Sequence, residues 1–387
     1  MFVEAVGISS GGGSVVLANL LQAFKAAQPA NALIVFGSKR TLRALEQDAT
    51  DEVLDKIHFV RVAGMNSYVL RMLFQQICMP IICWLWRADR VFAFGNIGSL
   101  VPTRPQFIYF HNALWLAPEL YPKSSPWTRL RMSFHWWLIC KSMQRSKRVI
   151  VQTKALADML CERVELDALQ IAIIPPGSSP TDNLSPGDEQ KVKNEIGSHP
   201  LLLCVIHPAP HKNLEVVLRA TALVHKLHPK MRLALTLDRN IHVGMTLPIF
   251  QELYQAQIAE FNKVIEELGI GEVIIWTGHL TPHEVQAWIK QCSVLCFPSL
   301  IESFGLPLVD ALTAGIPIVA AQCPYAIEVC GEGALYADPY KPAEWCDRID
   351  TLLSNHDECL TVSRASKKQS QIYSYLKAAN EILAIMA

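Results

Sequence analysis

Residues Cys292 to Ala321, CSVLCFPSLIESFGLPLVDALTAGIPIVAA, contain the pattern that decides the fold. Val294–Phe297 is an unbroken apolar run, as expected for a strand that is buried on both faces of a parallel sheet. A polar loop with a glycine follows, and the apolar stripe from Leu308 to Leu312 then predicts a helix. Gly315 can end that helix, and Ile316–Ala320 predicts a second buried strand. The order strand, loop, helix, strand is the unit of a doubly wound α/β fold.

The loop that precedes this helix has the chemistry of an anion-binding site. Ligands of open α/β sheets bind beyond the carboxyl ends of the strands, which is where this loop lies. The amides of Phe304, Gly305 and Leu306 begin the helix without intrahelical partners, so they suit a phosphate or a sugar hydroxyl. Glu302 lies in the loop and Asp310 follows eight residues later, a pair that fits a polyhydroxylated and phosphorylated ligand. The alternative is that Asp310 complements the helix dipole and Glu302 is only solvated.

The stretch resembles the signature of the family 4 glycosyltransferases, retaining enzymes of the two-domain GT-B type. That signature is a Glu, a nearby Phe/Tyr-Gly, a second Glu and Ala-x-x-x-Gly-x-Pro-Val, and the residues that match it here are Glu302, Phe304, Gly305, Ala311, Gly315, Pro317 and Val319. The second acid is Asp310, one methylene shorter, and the resemblance assigns it to the ribose of the donor nucleotide. It assigns Glu302 to the donor sugar, and Ser303 joins the loop amides as a donor-binding residue.

A second anion-binding element is predicted upstream of this stretch. Leu201–Ile206 is an unbroken apolar run, followed by HPAPHKN and by a helix from Leu214 to His225. The family has Gly-Arg, four residues and Lys-Asn at this place, so Lys212 matches its diphosphate-binding Lys, whereas His207 occupies the position of its Arg. An ammonium between a strand and a helix adds a point charge to an amide-lined site. We expect His207 to bind phosphate well only if a neighbouring negative charge keeps it protonated.

Three weaker candidates follow other predicted strands. Gly12 and Gly13 belong to a Gly-rich turn that lacks the GxGxxG dinucleotide fingerprint, and such a turn also serves merely to let a helix approach its sheet. The resemblance implies that this turn faces the donor. His111 follows the strand Phe107–Phe110, where it can hydrogen-bond a sugar or phosphate or have only a structural role. Leu280 lies where family members seat the nucleobase, largely through backbone contacts.

Composition limits the class of protein. The 387 residues suit two domains, and 51% apolar with 18% charged residues argues against long disordered tracts. A formal net charge of zero argues against a general nucleic-acid binder. Eleven cysteines without a CxxC pair predict core thiols in a reducing compartment, and neither a disulfide framework nor a metal site. We expect no cofactor other than the nucleotide-sugar substrate.

The location is predicted to be cytoplasmic, on the inner face of the plasma membrane if the chain binds a membrane. Phe2–Ile8 already predicts a strand rather than a signal peptide, and the longest apolar run, Ile77–Trp86, is too short to span a bilayer. The stretch 120–157 contains eight basic residues, no acid and several aromatics. Such a stretch suits an anionic membrane surface or a lipid pyrophosphate acceptor, although a packed helix with solvated Arg and Lys explains it equally well.

The predicted fold is α/β of the GT-B type, with two Rossmann-like parallel-sheet domains facing a cleft. Residues 1–178 form the acceptor-side domain, and 179–200, rich in Pro, Gly, Ser and Asp, the linker. Residues 201–365 form the nucleotide-sugar-binding domain, and 366–387 a helix that packs back towards the first domain.

The predicted function is that of a retaining hexosyltransferase, similar to a mannosyltransferase. It transfers a sugar from a nucleotide diphosphate sugar without a metal ion. The acceptor is a hydroxyl of a glycan or lipid-linked glycan, in synthesis of bacterial surface polysaccharide such as O-antigen, capsule or lipopolysaccharide. The catalytic candidates are Glu302, Lys212 and His111. Two alternatives remain, a non-catalytic GT-B-like partner subunit, which His207 and Asp310 favour, and a nucleotide-sugar epimerase of the GT-B type.

Overall fold

The chain folds into two compact units, each with one parallel sheet. The computed structural model describes residues 1–8, 11–30, 32–48, 54, 57–65, 67–120, 125–178, 186–197, 199–239 and 248–387. The first unit comprises Met1–Leu116, Lys123–Ser179 and Tyr373–Ala387, and the second comprises Ala117–Pro122 and Pro180–Ile372. Tyr121, Lys123 and the first seven residues of the predicted linker lie outside the described residues.

The sheet of the first unit has seven described strands in the order β3-β2-β1-β4-β5-β6-β7, and all neighbours are parallel. Its strands are β1 Phe2–Glu4, β2 Ile34–Gly37, β3 His58–Arg61, β4 Val91–Ala93, β5 Gln106–Tyr109, β6 Arg148–Val151 and β7 Ile171–Ile173. Its helices in the same stretch are α1 Gly12–Ala27, α2 Lys39–Asp48, α3 Tyr68–Leu85, α4 Pro126–Gln144 and α5 Lys154–Arg163. The strand order reverses between β1 and β4, so the loops after these strands flank the crevice where such sheets bind ligands.

Helix α3 differs from the sequence prediction. It runs continuously as Tyr68–Leu73, a π-helical turn Phe74–Cys78, and Met79–Leu85. Its 18 residues are long and apolar enough to cross a membrane, and only 28% of it is buried. The prediction that this apolar segment is too short to span was therefore wrong on length. Length and composition alone do not make a membrane span, because core helices meet the same criterion.

The sheet of the second unit has the described order β10-β9-β8-β11-β12-β13, again with parallel neighbours. Its strands are β8 Leu201–Cys204, β9 Arg232–Leu235, β10 Ile274–Trp276, β11 Val294–Phe297, β12 Ile318–Ala321 and β13 Leu335–Ala337. Its helices are α6 Pro186–Ile196, α7 Leu214–Leu227, α8 Pro248–Leu268, α9 Pro282–Gln291, α10 Leu306–Ala314, α11 Pro324–Cys330, α12 Pro342–Ser354 and α13 His356–Ser370. The predicted strand, loop, helix and strand are thus β11, its loop, α10 and β12, with both strands fully buried.

Two segment boundaries differ from those expected. Helix α6 occupies much of the predicted linker and packs on α9, where Lys191 lies 4.0 Å from Glu284 and Lys290 lies 3.7 Å from Glu189. Its start, Ser-Pro-Gly-Asp-Glu, places a Pro and acidic residues where a first helical turn favours them, so the composition marks a helix as well as a linker. At the C-terminus a separate helix, α14 Tyr375–Met386, packs on α1 in the first unit.

Candidate active site

The candidate site of the second unit lies in the loops after β8 and β11. These strands are neighbours, with Leu202 paired with Val294, so the two loops leave the same edge of the sheet side by side. The loop after β8 ends in a 3₁₀ turn, Pro210–Lys212. The amide of Leu300 in the other loop donates to the carbonyl of His211 at 2.8 Å and joins the two loops. The topology therefore brings together the two anion-binding elements that the sequence predicts.

Lys212 and Glu302 form an ion pair at the centre of these loops. The Nζ of Lys212 donates a hydrogen bond to Oε1 of Glu302, and it lies 5.9 Å from the ring centroid of Phe297. Lys212 is only 8% exposed, and the Glu302 side chain is 19% exposed. A cation this deeply placed requires a charged partner, which Glu302 supplies, and the aromatic face adds a second favourable contact.

The start of α10 adjoins this pair. Gly305 precedes the helix with φ +90°, a left-handed conformation that favours glycine, and a Cβ at this position would lie 3.0 Å from Cδ1 of Leu308. Phe304 is buried beside it, and Ser303 connects this turn to Glu302. The amides of a first helical turn, including that of Leu306, have no acceptor within the helix and carry the positive end of its dipole. The turn thus offers electropositive backbone next to the ion pair.

Asp310 lies one turn into α10 and is buried. Leu280 follows β10, the edge strand of the sheet, and two strands separate it from β11 in the order β10-β9-β8-β11. Its loop is shaped by Gly278, which has φ +75° and donates its amide to the carbonyl of Leu237 at 3.1 Å. Leu280 therefore shares the ligand-binding edge of the sheet with Lys212 and Glu302, two strands away from the Glu302 loop.

The two histidines of the β8 loop are neutral at pH 7. The rings of His207 and His211 are 5.8 Å apart, and the ring of Tyr254 lies 6.4 Å from that of His207. Burial lowers the pKa of His211 to about 4, helped by the Lys212 ammonium and opposed by Glu302. Loss of solvation and the same ammonium lower the pKa of His207. His207 is exposed, so its desolvation is incomplete, but the Lys212 ammonium lowers its pKa in the same direction. The cation that His207 needs in order to replace an Arg is therefore absent.

The first unit has a second cluster of predicted residues. A Cβ at Gly13 would lie 3.3 Å from Nε2 of His111, so the Gly-rich turn and the His that follows β5 meet. The His111 ring stacks on Phe94 with centroids 5.0 Å apart, and its amide donates to Oδ1 of Asn96 at 2.7 Å. Burial lowers the pKa of His111 to about 4, so the ring is neutral at pH 7. Gly12 is the first residue of α1 and is exposed beside this contact.

Sequence reasoning did not predict the contacts of four residues that hold these loops. Asn96 has φ +67° and fixes the backbone of His111, and only the turn-forming Gly95-Asn96 pair after β4 hints at it. Asn213 has φ +49°, and its Nδ2 donates to the carbonyl of Pro339 at 2.7 Å. The buried hydroxyl of Tyr325 donates to the carbonyl of Ser299 at 2.6 Å, which fixes the loop that contains Glu302. His211 joins the two loops through its carbonyl.

The described side chains contain no group of three or more His, Cys, Asp or Glu placed to hold a metal ion. The positive groups at the site are instead the Lys212 ammonium and the start of α10.

Comparisons with known proteins show which family this part of the chain resembles. The model of the family described as "Glycosyl transferases group 1" matches residues 187–369. The D-inositol 3-phosphate glycosyltransferase of Corynebacterium kroppenstedtii is 25% identical over 256 residues, which cover 63% of this chain and 54% of the relative. The chain thus spans about half the length of the relatives of this kind that it matches.

Solved structures show the same fold over the whole chain. Anabaena Alr3699/HepE in complex with UDP-glucose superposes with a TM-score of 0.73 at 18% identity, covering 99% of this chain and 98% of that chain. WaaG, a glycosyltransferase involved in lipopolysaccharide biosynthesis, superposes with a TM-score of 0.72 at 14% identity, covering 100% and 99%. These structures confirm the predicted α/β GT-B class. Residues 187–369, a little under half of the chain, are thus similar to the glycosyl transferases group 1 domain.

Proposed function

We propose that this chain is a retaining glycosyltransferase that moves a sugar from a nucleotide diphosphate sugar to an acceptor hydroxyl. The observation that carries the proposal is the Lys212–Glu302 pair beside the start of α10, at the carboxyl edge of the sheet. An ammonium has three N–H donors, and the Glu302 contact uses one of them. The remaining donors and the backbone of the Phe304–Leu306 turn suit the oxygens of a diphosphate.

The reaction breaks the bond between the anomeric carbon and the diphosphate oxygen while the acceptor oxygen bonds to that carbon. The acceptor proton passes to the departing phosphate, and negative charge develops on the diphosphate. Lys212 and the α10 amides stabilise that charge without a metal ion, and removing one such group typically costs about 3 kcal/mol of barrier. Glu302 accepts hydrogen bonds from hydroxyls of the donor sugar and holds Lys212 in place.

The other predicted donor-binding groups add no positive charge to the site. Asp310 accepts from the ribose hydroxyls, and the backbone around Leu280 seats the base. His207 is neutral, so it donates a hydrogen bond but does not replace the positive charge of an Arg. In the first unit, neutral His111 beside Gly13 supports the sugar through an imidazole N–H.

The proposed acceptor is a hydroxyl of a glycan or lipid-linked glycan, in the synthesis of bacterial surface polysaccharide at the cytoplasmic face of the membrane. Two similarities favour a small or lipid-borne polar acceptor. The relatives are named D-inositol 3-phosphate glycosyltransferases, and WaaG is involved in lipopolysaccharide biosynthesis. We also propose that the transferred sugar is a hexose, as in a mannosyltransferase.

A donor assay without added acceptor separates this proposal from its two alternatives. The full chain is incubated with UDP- and GDP-sugars in the presence of EDTA, and the products are separated by chromatography. We expect slow release of the nucleoside diphosphate and the free sugar, and we expect Lys212→Ala to abolish it while Lys263→Ala, an exposed lysine on α8, does not. Interconversion of the donor sugars indicates an epimerase, and no turnover with any donor or acceptor indicates a partner subunit.

A further inference from the structure

Helices α3 and α4 expose a large apolar surface. On α3 the exposed apolar side chains are Val69, Leu70, Leu73, Ile77, Ile81, Trp84 and Leu85, and on α4 they are Trp127, Leu130, Phe134 and Trp137. Trp127 is 80% exposed and Trp84 is 63% exposed. Most recur every three or four residues, which aligns them along one side of each helix. We call these eleven side chains the apolar face, and an exposed surface of this kind marks an interaction site.

The two helices lie on the same side of the first sheet. Val91 of β4 pairs in register with Phe2 of β1 and with Gln106 of β5, so these three side chains project from the same face. Helix α3 packs on Phe2 and Val91, and the backbone of Ser142 in α4 accepts from Gln106.

A contact between α3 and α4 joins them directly. The hydroxyl of Tyr68 is 3.1 Å from Nδ1 of His135, and the guanidinium of Arg131 lies 5.9 Å from the Tyr68 ring. The apolar face is therefore one surface of the first unit rather than two separate patches.

The charge around this surface is predominantly positive. Residues 67–88 and 125–157 contain no Asp or Glu, and their basic residues are Arg71, Arg87, Arg129, Arg131, Lys141, Arg145, Lys147, Arg148 and Lys154. Beyond the end of α3, a cavity of about 640 Å³ is lined by Arg87, Arg90, Arg104 and Lys147, with Asp89 as its one acidic side chain. A symmetric dimer through the apolar face would set cations against cations, because the same patch meets itself. An anionic partner fits this charge.

We propose that α3 and α4 dock the protein on an anionic lipid bilayer, with both helices lying flat at the level of the headgroups. Apolar and aromatic side chains enter the acyl boundary while Arg and Lys contact phosphates, the arrangement of interfacial amphipathic helices. Helix α3 does not span the bilayer, because Gln75 bonds to buried Glu4 and Gln76 bonds to the backbone of the Gly98–Leu100 loop. These contacts hold its inner side on the sheet. This docking proposal does not depend on the proposed transferase activity.

Flotation of the full chain with lipid vesicles tests this docking surface. Vesicles of phosphatidylcholine alone are compared with vesicles that also contain phosphatidylglycerol. We expect the protein to float with the anionic vesicles and to be released by salt, since salt screens the Arg and Lys contacts. The Trp84→Ser/Trp127→Ser variant should partition about tenfold less, because it removes the two most exposed indoles of the face. Its melting temperature should not change, because both side chains lie in solvent.

The matched control is Leu169→Ser/Leu227→Ser, which removes two exposed leucines outside α3 and α4. It should float like the parent. The proposal is overturned if the parent stays unbound to anionic vesicles, or if the tryptophan variant floats as well as the parent. It is also overturned if light scattering shows a dimer that the tryptophan variant dissociates, without binding of either form to vesicles. Donor turnover measured on the same samples reports on the transferase proposal separately.

Discussion

Replacing Lys212 by Met tests whether its ammonium serves a ligand or only the fold. The substitution removes the charge and keeps most of the apolar stem that packs beneath it. Glu302 is then left as a partly buried carboxylate without its cation. Breaking a fully buried pair costs about 4 kcal/mol, but water reaches part of the Glu302 side chain and screens the loss. We therefore expect the free energy of unfolding to fall by about 2 kcal/mol.

The same variant should lose turnover by a different mechanism. Without the ammonium, the charge that develops on the leaving diphosphate loses a major stabilising group. We expect the turnover number for donor hydrolysis to fall about a hundredfold, which corresponds to about 2.7 kcal/mol of barrier. Stability is measured by urea denaturation, and turnover by release of the nucleoside diphosphate.

The double variant Lys212→Met/Glu302→Gln separates the two effects. Neither charge is then left unpaired, so the free energy of unfolding should return to within about 1 kcal/mol of the parent. Turnover should stay as low as in Lys212→Met, because the cation is still missing. Lys290→Met is the matched control, because it breaks a longer and more exposed ion pair of the same unit and should change both quantities little.

One result would contradict a catalytic role of Lys212. If Lys212→Met loses stability but keeps turnover within about threefold of the parent, the pair is structural and no diphosphate meets it in the transition state.

Three further predictions concern the first unit. Glu4 is buried, and burial raises the pKa of its carboxyl to about 7, above the value in the unfolded chain. The protonated carboxyl therefore stabilises the fold at low pH, and this stabilisation is lost as the pH rises through 7. Glu4→Gln should therefore raise the urea midpoint at pH 8 and change it little at pH 4. Burial lowers the pKa of His111 to about 4. The neutral ring therefore contributes to the free energy of unfolding above pH 6.5, and this contribution is lost as the pH falls through about 4. His111→Gln should flatten the fall in thermal stability between these values. Gly13→Ala should displace the imidazole and lower donor turnover about tenfold with little change in melting temperature, because the new Cβ would press on Nε2.

The sequence predicted best the parts that depend on local pattern and on the geometry of parallel sheets. β11, α10 and β12 follow from unbroken apolar runs and from the two glycines that flank the helix. The meeting of Lys212 and Glu302 follows from a simple rule, because each residue follows a buried parallel strand and ligand-binding loops gather at one edge of the sheet. Their roles in catalysis, like those of Asp310 and His111, stay predictions.

What the sequence did not predict depends on three-dimensional surroundings. The start of α3 was missed because polar Gln75 and Gln76 interrupt its apolar run. Gln75 donates a hydrogen bond to Glu4, and Gln76 donates one to the backbone of the neighbouring loop. The loss of charge on His207 requires knowing that its ring lies near Lys212 and is partly desolvated. The support that Asn96 gives to His111 joins loops after two different strands, and no spacing in the sequence reports it.

Calorimetric titration with a nucleoside diphosphate tests whether the Lys212 ammonium binds the phosphates of the donor. UDP and GDP are titrated into the parent and into Lys212→Met, with uridine and guanosine as controls that lack the phosphates. We expect one diphosphate to bind the parent, Lys212→Met to weaken this binding at least about tenfold, and the affinity for the nucleoside to be unchanged. Equal affinity of the diphosphate for the parent and for Lys212→Met would contradict a phosphate-binding role of Lys212.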